Sequence, residues 1–154
     1  GNFFAGIGAT ITGIKQSINQ TNVVEKEANK YFYTVQANAS ISYKFPKTNT
    51  IISAFYKYNG EQQQYVLKTN PNNSSEQYLE KGKQQGFSWL DASVRQSFFK
   101  NKFDVTLGAR NLFDVKNLRN TTSSDGAHTE ASTSIMYGYG RSYFVKLTFN
   151  LGIN

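Results

Sequence analysis

Strict alternation of apolar and polar side chains between residues 33 and 45 constrains this chain more than any other feature. The odd positions are all apolar or aromatic, and they run Tyr33, Val35, Ala37, Ala39, Ile41, Tyr43 and Phe45. The even positions between them are all polar: Thr34, Gln36, Asn38, Ser40, Ser42 and Lys44. Because successive side chains of a β-strand point to opposite faces, this period of two predicts a strand with one apolar and one polar face.

Further segments repeat the same alternation. The clean ones have their apolar rows within 3–11, 90–98, 103–109 and 143–151. In a weaker segment, 52–58, the neighbouring Ile51 and the internal Phe55 fall on the otherwise polar face. We therefore expect about six antiparallel strands, most of them at or above the roughly 9–11 residues that a membrane-spanning β-strand needs.

Short and long connections alternate between these predicted strands. Residues 46–49 and 99–102 form tight turns, whereas 17–30, 59–86 and 113–138 are long, polar and rich in Asn, Ser, Gln and Gly. Outer-membrane β-barrels are built in this way, with short turns in the periplasm and long loops outside the cell. The pattern predicts an all-β, antiparallel, up-and-down transmembrane β-barrel.

Composition excludes several other classes of protein. The 154 residues include no Cys and one His, which removes disulfide frameworks and Cys- or His-rich metal sites. No stretch approaches the roughly 18 consecutive apolar residues of a spanning helix. The net charge of +7 comes from scattered basic residues, so we expect no nucleic-acid partner. No catalytic constellation can be assembled, so we expect neither an enzyme nor a cofactor.

A soluble β-sandwich would show the same alternation, because its apolar face packs against a second sheet. Sandwich strands, however, usually have only about 5–6 residues. Aromatic residues also crowd the predicted strand ends, as the interfacial girdles of membrane barrels do. These residues are Tyr31, Tyr33, Tyr43, Phe45, Tyr58, Phe87, Trp89, Phe98, Phe103, Tyr137, Tyr139 and Tyr143. Both features favour the membrane barrel.

The two tight turns predict the register of two hairpins. Both registers keep apolar residues opposite apolar residues, as a wrong register would not. The predicted pairs are Phe98–Phe103, Val94–Leu107 and Ala92–Ala109 in one hairpin, and Ala39–Tyr56 and Ala37–Tyr58 in the other.

On the polar face, the first of these registers brings opposite charges together. Asp91 falls opposite Arg110, and Arg95 lies diagonal to Asp104. We therefore predict ion pairs in the lumen of the barrel, a reading that we prefer to a catalytic carboxylate pair because opposite charges keep both acids ionised.

The end of the chain carries a recognisable pair of motifs. Asn111, Leu112, Phe113 and Asp114 follow Gly108-Ala109-Arg110, and taken alone they predict a strand-to-loop transition in which Asp114 caps a turn and Phe113 packs at the rim. Together with 140–149, however, the stretch 105–115 resembles the C-terminal end of TonB-dependent outer-membrane receptors. Residues 90–94 are similar to that family's antepenultimate strand.

The resemblance implies that residues 1–154 are the C-terminal portion of a transmembrane barrel, the last six or so of about 22 strands around a plugged lumen. The plug domain, through which such receptors contact the TonB complex, would lie outside this chain. The implied function is import of a scarce nutrient across the outer membrane of a Gram-negative bacterium, energised by the inner-membrane proton gradient. Ferric siderophores, haem, cobalamin, glycans and peptides are the implied substrates.

Several other partners follow from the same resemblance. They are membrane lipid, lipopolysaccharide and, as an optional component, a surface lipoprotein. In this part of the chain Tyr137, Tyr139 and His128 are candidate ligand contacts in an extracellular loop, because aromatic rings give a large contact area at low entropic cost. For the two tyrosines we prefer the alternative role of interfacial anchors.

A small eight-stranded barrel with a structural or adhesive role is the alternative architecture. It requires that 62–68 and 75–81 form an extra hairpin. An eight-stranded lumen must be filled by its own side chains, whereas many inward positions here are small. These small residues are Gly6, Gly8, Thr10, Thr12, Ser40, Ser42, Ser93 and Ser97.

Overall fold

The computed structural model describes residues 1–15, 31–70, 72–120 and 133–151, and every regular element in these ranges is a β-strand. No helix in the described ranges could cross a membrane. The strands are β1 (Phe3–Lys15), β2 (Tyr31–Phe45), β3 (Thr50–Asn59), β4 (Gln62–Asn70), β5 (Asn73–Gln84), β6 (Phe87–Phe98), β7 (Phe103–Arg110), β8 (Asn117–Asn120), β9 (Thr133–Met136) and β10 (Ser142–Phe149). The prediction of an all-β antiparallel chain is confirmed.

The strands form two sheets. The first sheet has six antiparallel strands in the order β1-β2-β3-β6-β7-β10, and the second has four in the order β4-β5-β8-β9. Tight turns at 46–49 and 99–102 join β2 to β3 and β6 to β7, as the sequence predicts. The first sheet is open in the described residues, because its edge strands β1 and β10 are not hydrogen-bonded to each other.

The second sheet continues four strands of the first sheet beyond a short break in each of them. Only Gly60 and Glu61 separate β3 from β4, and only Gln85 and Gly86 separate β5 from β6. Each pair of neighbours in the second sheet extends a pair in the first: β4–β5 continues β3–β6, β5–β8 continues β6–β7, and β8–β9 continues β7–β10. We call the region of these breaks, where the first sheet ends and the second begins, the junction.

Two predicted loops therefore differ from the structure. Residues 59–86 were expected to form a long polar loop, but they contain the β4–β5 hairpin, and 113–138 contain β8 and β9. These strands are mostly polar and bury only single apolar side chains, such as Tyr65, Leu79 and Leu118, so the period of two does not reveal them.

Both predicted registers are confirmed. Opposite residues include Phe98 and Phe103, Val94 and Leu107, and Ala92 and Ala109 between β6 and β7. Between β2 and β3 they include Ala39 and Tyr56, and Ala37 and Tyr58. Hydrophobic alternation and the length of the turn were sufficient to fix both hairpins.

The two faces of the first sheet have opposite character. Its apolar face has no covering layer among the described residues, so that Ile7 is 90% and Val145 is 67% exposed. The polar face is concave, since β1 and β10 both line one depression of about 440 Å³ through Phe4 and Phe144. The buried apolar side chains are few, and they lie on β2, β4, β5 and β8: Phe32, Tyr65, Leu79 and Leu118.

The structure corrects part of the predicted aromatic girdle. Phe87 and Trp89 have the same parity as Ser93, which lines the concave depression, so they lie on the concave face. Assigning them to a lipid-facing girdle was therefore wrong. Tyr43, Phe45, Phe98, Phe103 and Tyr143 lie on the apolar face as expected, and rings there pack against each other, as in the 4.7 Å centroid contact between Tyr43 and Phe45.

Candidate functional site

Asn111 is the most completely buried side chain of the described residues, at 0% exposure, and it organises the junction after β7. Its side-chain amide donates from Nδ2 to the Val115 carbonyl (2.9 Å), and its Oδ1 accepts from the Val115 backbone N–H (2.9 Å). Its own carbonyl accepts from the Asp114 N–H (2.8 Å). The backbone φ of 54° at Asn111 is one that Asn tolerates better than most residues. The Asn-Leu-Phe-Asp motif is thus a closed turn.

Asp114 joins this turn to the start of β10. Its Oδ1 accepts a hydrogen bond from the Arg141 backbone N–H (2.8 Å), and its Oδ2 lies 3.1 Å from Lys116 Nζ. Arg141 in turn donates from Nη2 to the Leu112 carbonyl (2.7 Å). The Arg141 N–H and then Lys116 lower the pKa of the Asp114 carboxyl. The prediction that Asp114 caps the turn was wrong, because Asn111 closes the turn onto Val115 and the Asp114 carboxylate ties it to Arg141. Phe113 makes an edge contact with Tyr56 (6.4 Å between centroids).

Asp91 and Arg110 both line the concave depression, but they are not ion-paired in the structure. Asp91 Oδ1 instead accepts from Trp89 Nε1 (2.6 Å) and from the Asn111 backbone N–H (2.8 Å). The Arg110 guanidinium lies 5.0 Å from the centre of the Phe144 ring, a cation–π contact. The carboxylate thus fixes an indole ring and the Asn111 turn.

Arg95 and Asp104 are likewise not ion-paired, although their register is as predicted. Asp104 is buried, and its Oδ2 receives a long hydrogen bond of 3.5 Å from Asn150 Nδ2. Its Oδ1 has no hydrogen-bond partner. Strand register placed both pairs of charges on one face, but side-chain rotamers decide which groups meet.

A small cleft opens on the concave face at the junction. It has a volume of about 260 Å³. We call it the aromatic cleft, and its lining residues are Phe55, Lys57, Asn59, Phe87, Trp89, Asp91 and Tyr137. Three cross-strand pairs between β3 and β6 form its floor, namely Phe55–Asp91, Lys57–Trp89 and Asn59–Phe87. Tyr137, which follows β9, closes one side.

The rings of the aromatic cleft contact each other directly. The Phe87 and Tyr137 centroids are 4.3 Å apart and tilted by 52°, and Trp89 meets Tyr137 edge to face at 6.4 Å. Asn59 is 7% exposed, and its Nδ2 has no hydrogen-bond partner. A buried amide donor therefore lines a cleft with four aromatic rings, one cation and one carboxylate.

Sequence reasoning named Tyr137 as a candidate contact and placed Asp91 on the polar face, but it did not bring the residues of the cleft together. The available signal was parity: Phe87 and Trp89 alternate in phase with Asp91, and Phe55 interrupts the polar face of β3. Read together, these exceptions mark an aromatic patch on the polar face. The other two predicted contacts differ from Tyr137, since Tyr139 is 100% exposed outside the cleft and His128 lies outside the described residues.

No cluster of three or more His, Cys, Asp or Glu side chains suited to a metal ion occurs in the described part of the chain. Comparisons of the chain with protein-family models, with curated proteins and with solved structures found no match.

Proposed function

We propose that this chain is part of the wall of a transmembrane β-barrel in a TonB-dependent outer-membrane receptor, which imports a scarce nutrient with energy from the inner-membrane proton gradient. The observation that carries the proposal is the bare apolar face of the first sheet, exemplified by Ile7, Ile11 and Leu147. Soluble monomers rarely expose so continuous an apolar surface, whereas hydrocarbon requires one.

The spacing of the aromatic rows supports a membrane. On the apolar face of β2, Tyr33 and Tyr43 are ten residues apart. At about 3.3 Å per residue and a strand tilt of about 40°, this separation corresponds to roughly 25 Å along the membrane normal, the height of the apolar band in outer-membrane barrels.

The open edges of the first sheet imply that the barrel has more strands than the six described here. In lipid every backbone polar group needs a partner, so the open edges of β1 and β10 call for further strands. The proposed receptor supplies them in a wall of about 22 strands, in which six would come from this chain. Small inward residues such as Gly6, Ser40 and Ser93 suit a wall that faces a plug.

The self-contained eight-stranded barrel is less well supported. The extra hairpin that it requires does exist as β4 and β5, but this hairpin extends β3 and β6 lengthwise in the second sheet. It adds no neighbour to the first sheet, which keeps six described strands. Closure at eight would need two more strands beside β1 or β10.

Fractionation of cells that naturally produce this chain tests the proposal. An antiserum against the 17.3 kDa chain should detect an outer-membrane protein much larger than that mass, whose gel mobility changes on heating. Deleting this protein and deleting TonB should cause the same growth defect when the nutrient is scarce. An outer-membrane band of 17.3 kDa would favour the small barrel, and a soluble protein would contradict both membrane hypotheses.

A further inference from the structure

We propose that the aromatic cleft binds one ring of a neutral carbohydrate. The inference rests on the proposed transport function, since it assigns a substrate class to the concave face of the barrel wall. It follows from the rings, the hydrogen-bonding groups, and the charge and size of the cleft.

The rings provide an apolar wall of the kind that a sugar can cover. Phe87, Trp89 and Tyr137 are tilted or edge-on to one another, so they do not stack face to face. A pyranose ring has one face of C–H groups, which carry partial positive charge and suit the electron-rich face of an aromatic ring. Trp89 is held in place because its indole N–H donates to Asp91.

The polar groups of the cleft complement hydroxyls. Asn59 Nδ2 is a buried donor without a partner, an unfavourable condition that an acceptor on a ligand would relieve. Lys57 adds a second donor, and Asp91 has an acceptor oxygen, Oδ2, that makes no hydrogen bond in the structure. A hydroxyl both donates and accepts, so neighbouring hydroxyls of one sugar ring can satisfy donors and acceptor together.

Charge and size argue against the other nutrient classes. One cation and one carboxylate give the cleft no net charge, and an anionic ring would lie beside Asp91. The volume of about 260 Å³ is below the roughly 300–1,000 Å³ of pockets for drug-sized ligands, so a single ring fits and a large flat macrocycle does not.

The chain carries its own reporter for this site, because Trp89 is its one tryptophan. We expect maltohexaose or cellohexaose to cause a saturable fluorescence change in the whole outer-membrane receptor that contains this chain, and Trp89→Phe to abolish that change. Tyr137→Ala and Asn59→Ala should each weaken binding of the responding sugar by about tenfold or more, the equivalent of one lost aromatic or hydrogen-bonded contact. Tyr139→Ala is the matched control, since Tyr139 lies outside the cleft, and it should leave binding unchanged.

Assembly in the bilayer is measured separately, by the change in gel mobility on heating. A receptor that assembles but binds neither sugar would overturn the carbohydrate inference and leave the proposed function standing. The inference would also fail if Tyr137→Ala bound like the parent chain, or if the anionic ring 2,3-dihydroxybenzoate bound more tightly than both sugars. A chain that remains soluble without lipid would overturn the proposed function, whatever its sugar binding.

Discussion

At the scale of single residues, Asn111 has the largest predicted effect on stability. Its amide satisfies both the N–H and the carbonyl of Val115, and its backbone N–H supports Asp91. Asn111→Ala leaves the half-buried N–H and carbonyl of Val115 without partners and places Ala at a positive φ. We expect the free energy of unfolding to fall by about 2–4 kcal/mol, measured by guanidinium unfolding of the whole receptor in detergent micelles.

Asn117→Ala is the control for this substitution, because Asn117 is exposed on β8. It should change stability by no more than about 0.5 kcal/mol. Equal effects of the two substitutions would show that the Asn111 turn does not stabilise the junction. Because Asp91 links Asn111 to Trp89, Asn111→Ala should also alter the Trp89 emission spectrum in the folded chain.

At the scale of strands, the junction depends on close approach of two backbones. A Cβ at Gly86 would lie 2.7 Å from the Asn59 carbonyl oxygen and 2.8 Å from the Glu61 nitrogen. Neither backbone atom can move without shifting the break between β3 and β4. We expect Gly86→Ala to destabilise the folded chain by about 1–3 kcal/mol in the same guanidinium assay.

Gly138→Ala provides the comparison, since a Cβ there would meet its nearest atoms at 3.6 Å or more, an ordinary contact distance. If both glycines tolerated alanine equally, the strands would not meet as closely at the junction as the structure shows.

The sequence predicted the strands of the first sheet well, and the reason is physical. In a strand with one apolar and one polar face, apolar and polar residues alternate along the sequence, as they do in β2. The strand β4 begins with three glutamines and so lacks that contrast, and its hairpin could be named only as an alternative. The aromatic cleft was missed for a different reason: its residues come from β3, β6 and the segment after β9, and sequence spacing alone does not show that the segment after β9 packs against β6.

At the scale of the whole molecule, the proposed barrel requires that the apolar face of the first sheet contacts lipid and that the concave face contacts water. Two neighbouring residues on β6 and two on β7 point to opposite faces of the sheet. Ser93 and Thr106 lie on the concave face, whereas Val94 and Leu107 lie on the apolar face. The chain has no cysteine, so single cysteines can be introduced at each position without removing any native thiol.

The most direct test introduces each of these four cysteines into the whole receptor in lipid bilayers, attaches a spin label to it, and compares the label's collisions with oxygen, which dissolves in lipid, and with a water-soluble nickel chelate. We predict that labels at Val94→Cys and Leu107→Cys collide mainly with oxygen, and that those at Ser93→Cys and Thr106→Cys collide relatively more with the chelate. Equal access of the chelate to all four labels would contradict a lipid-facing apolar surface, and with it the proposed barrel.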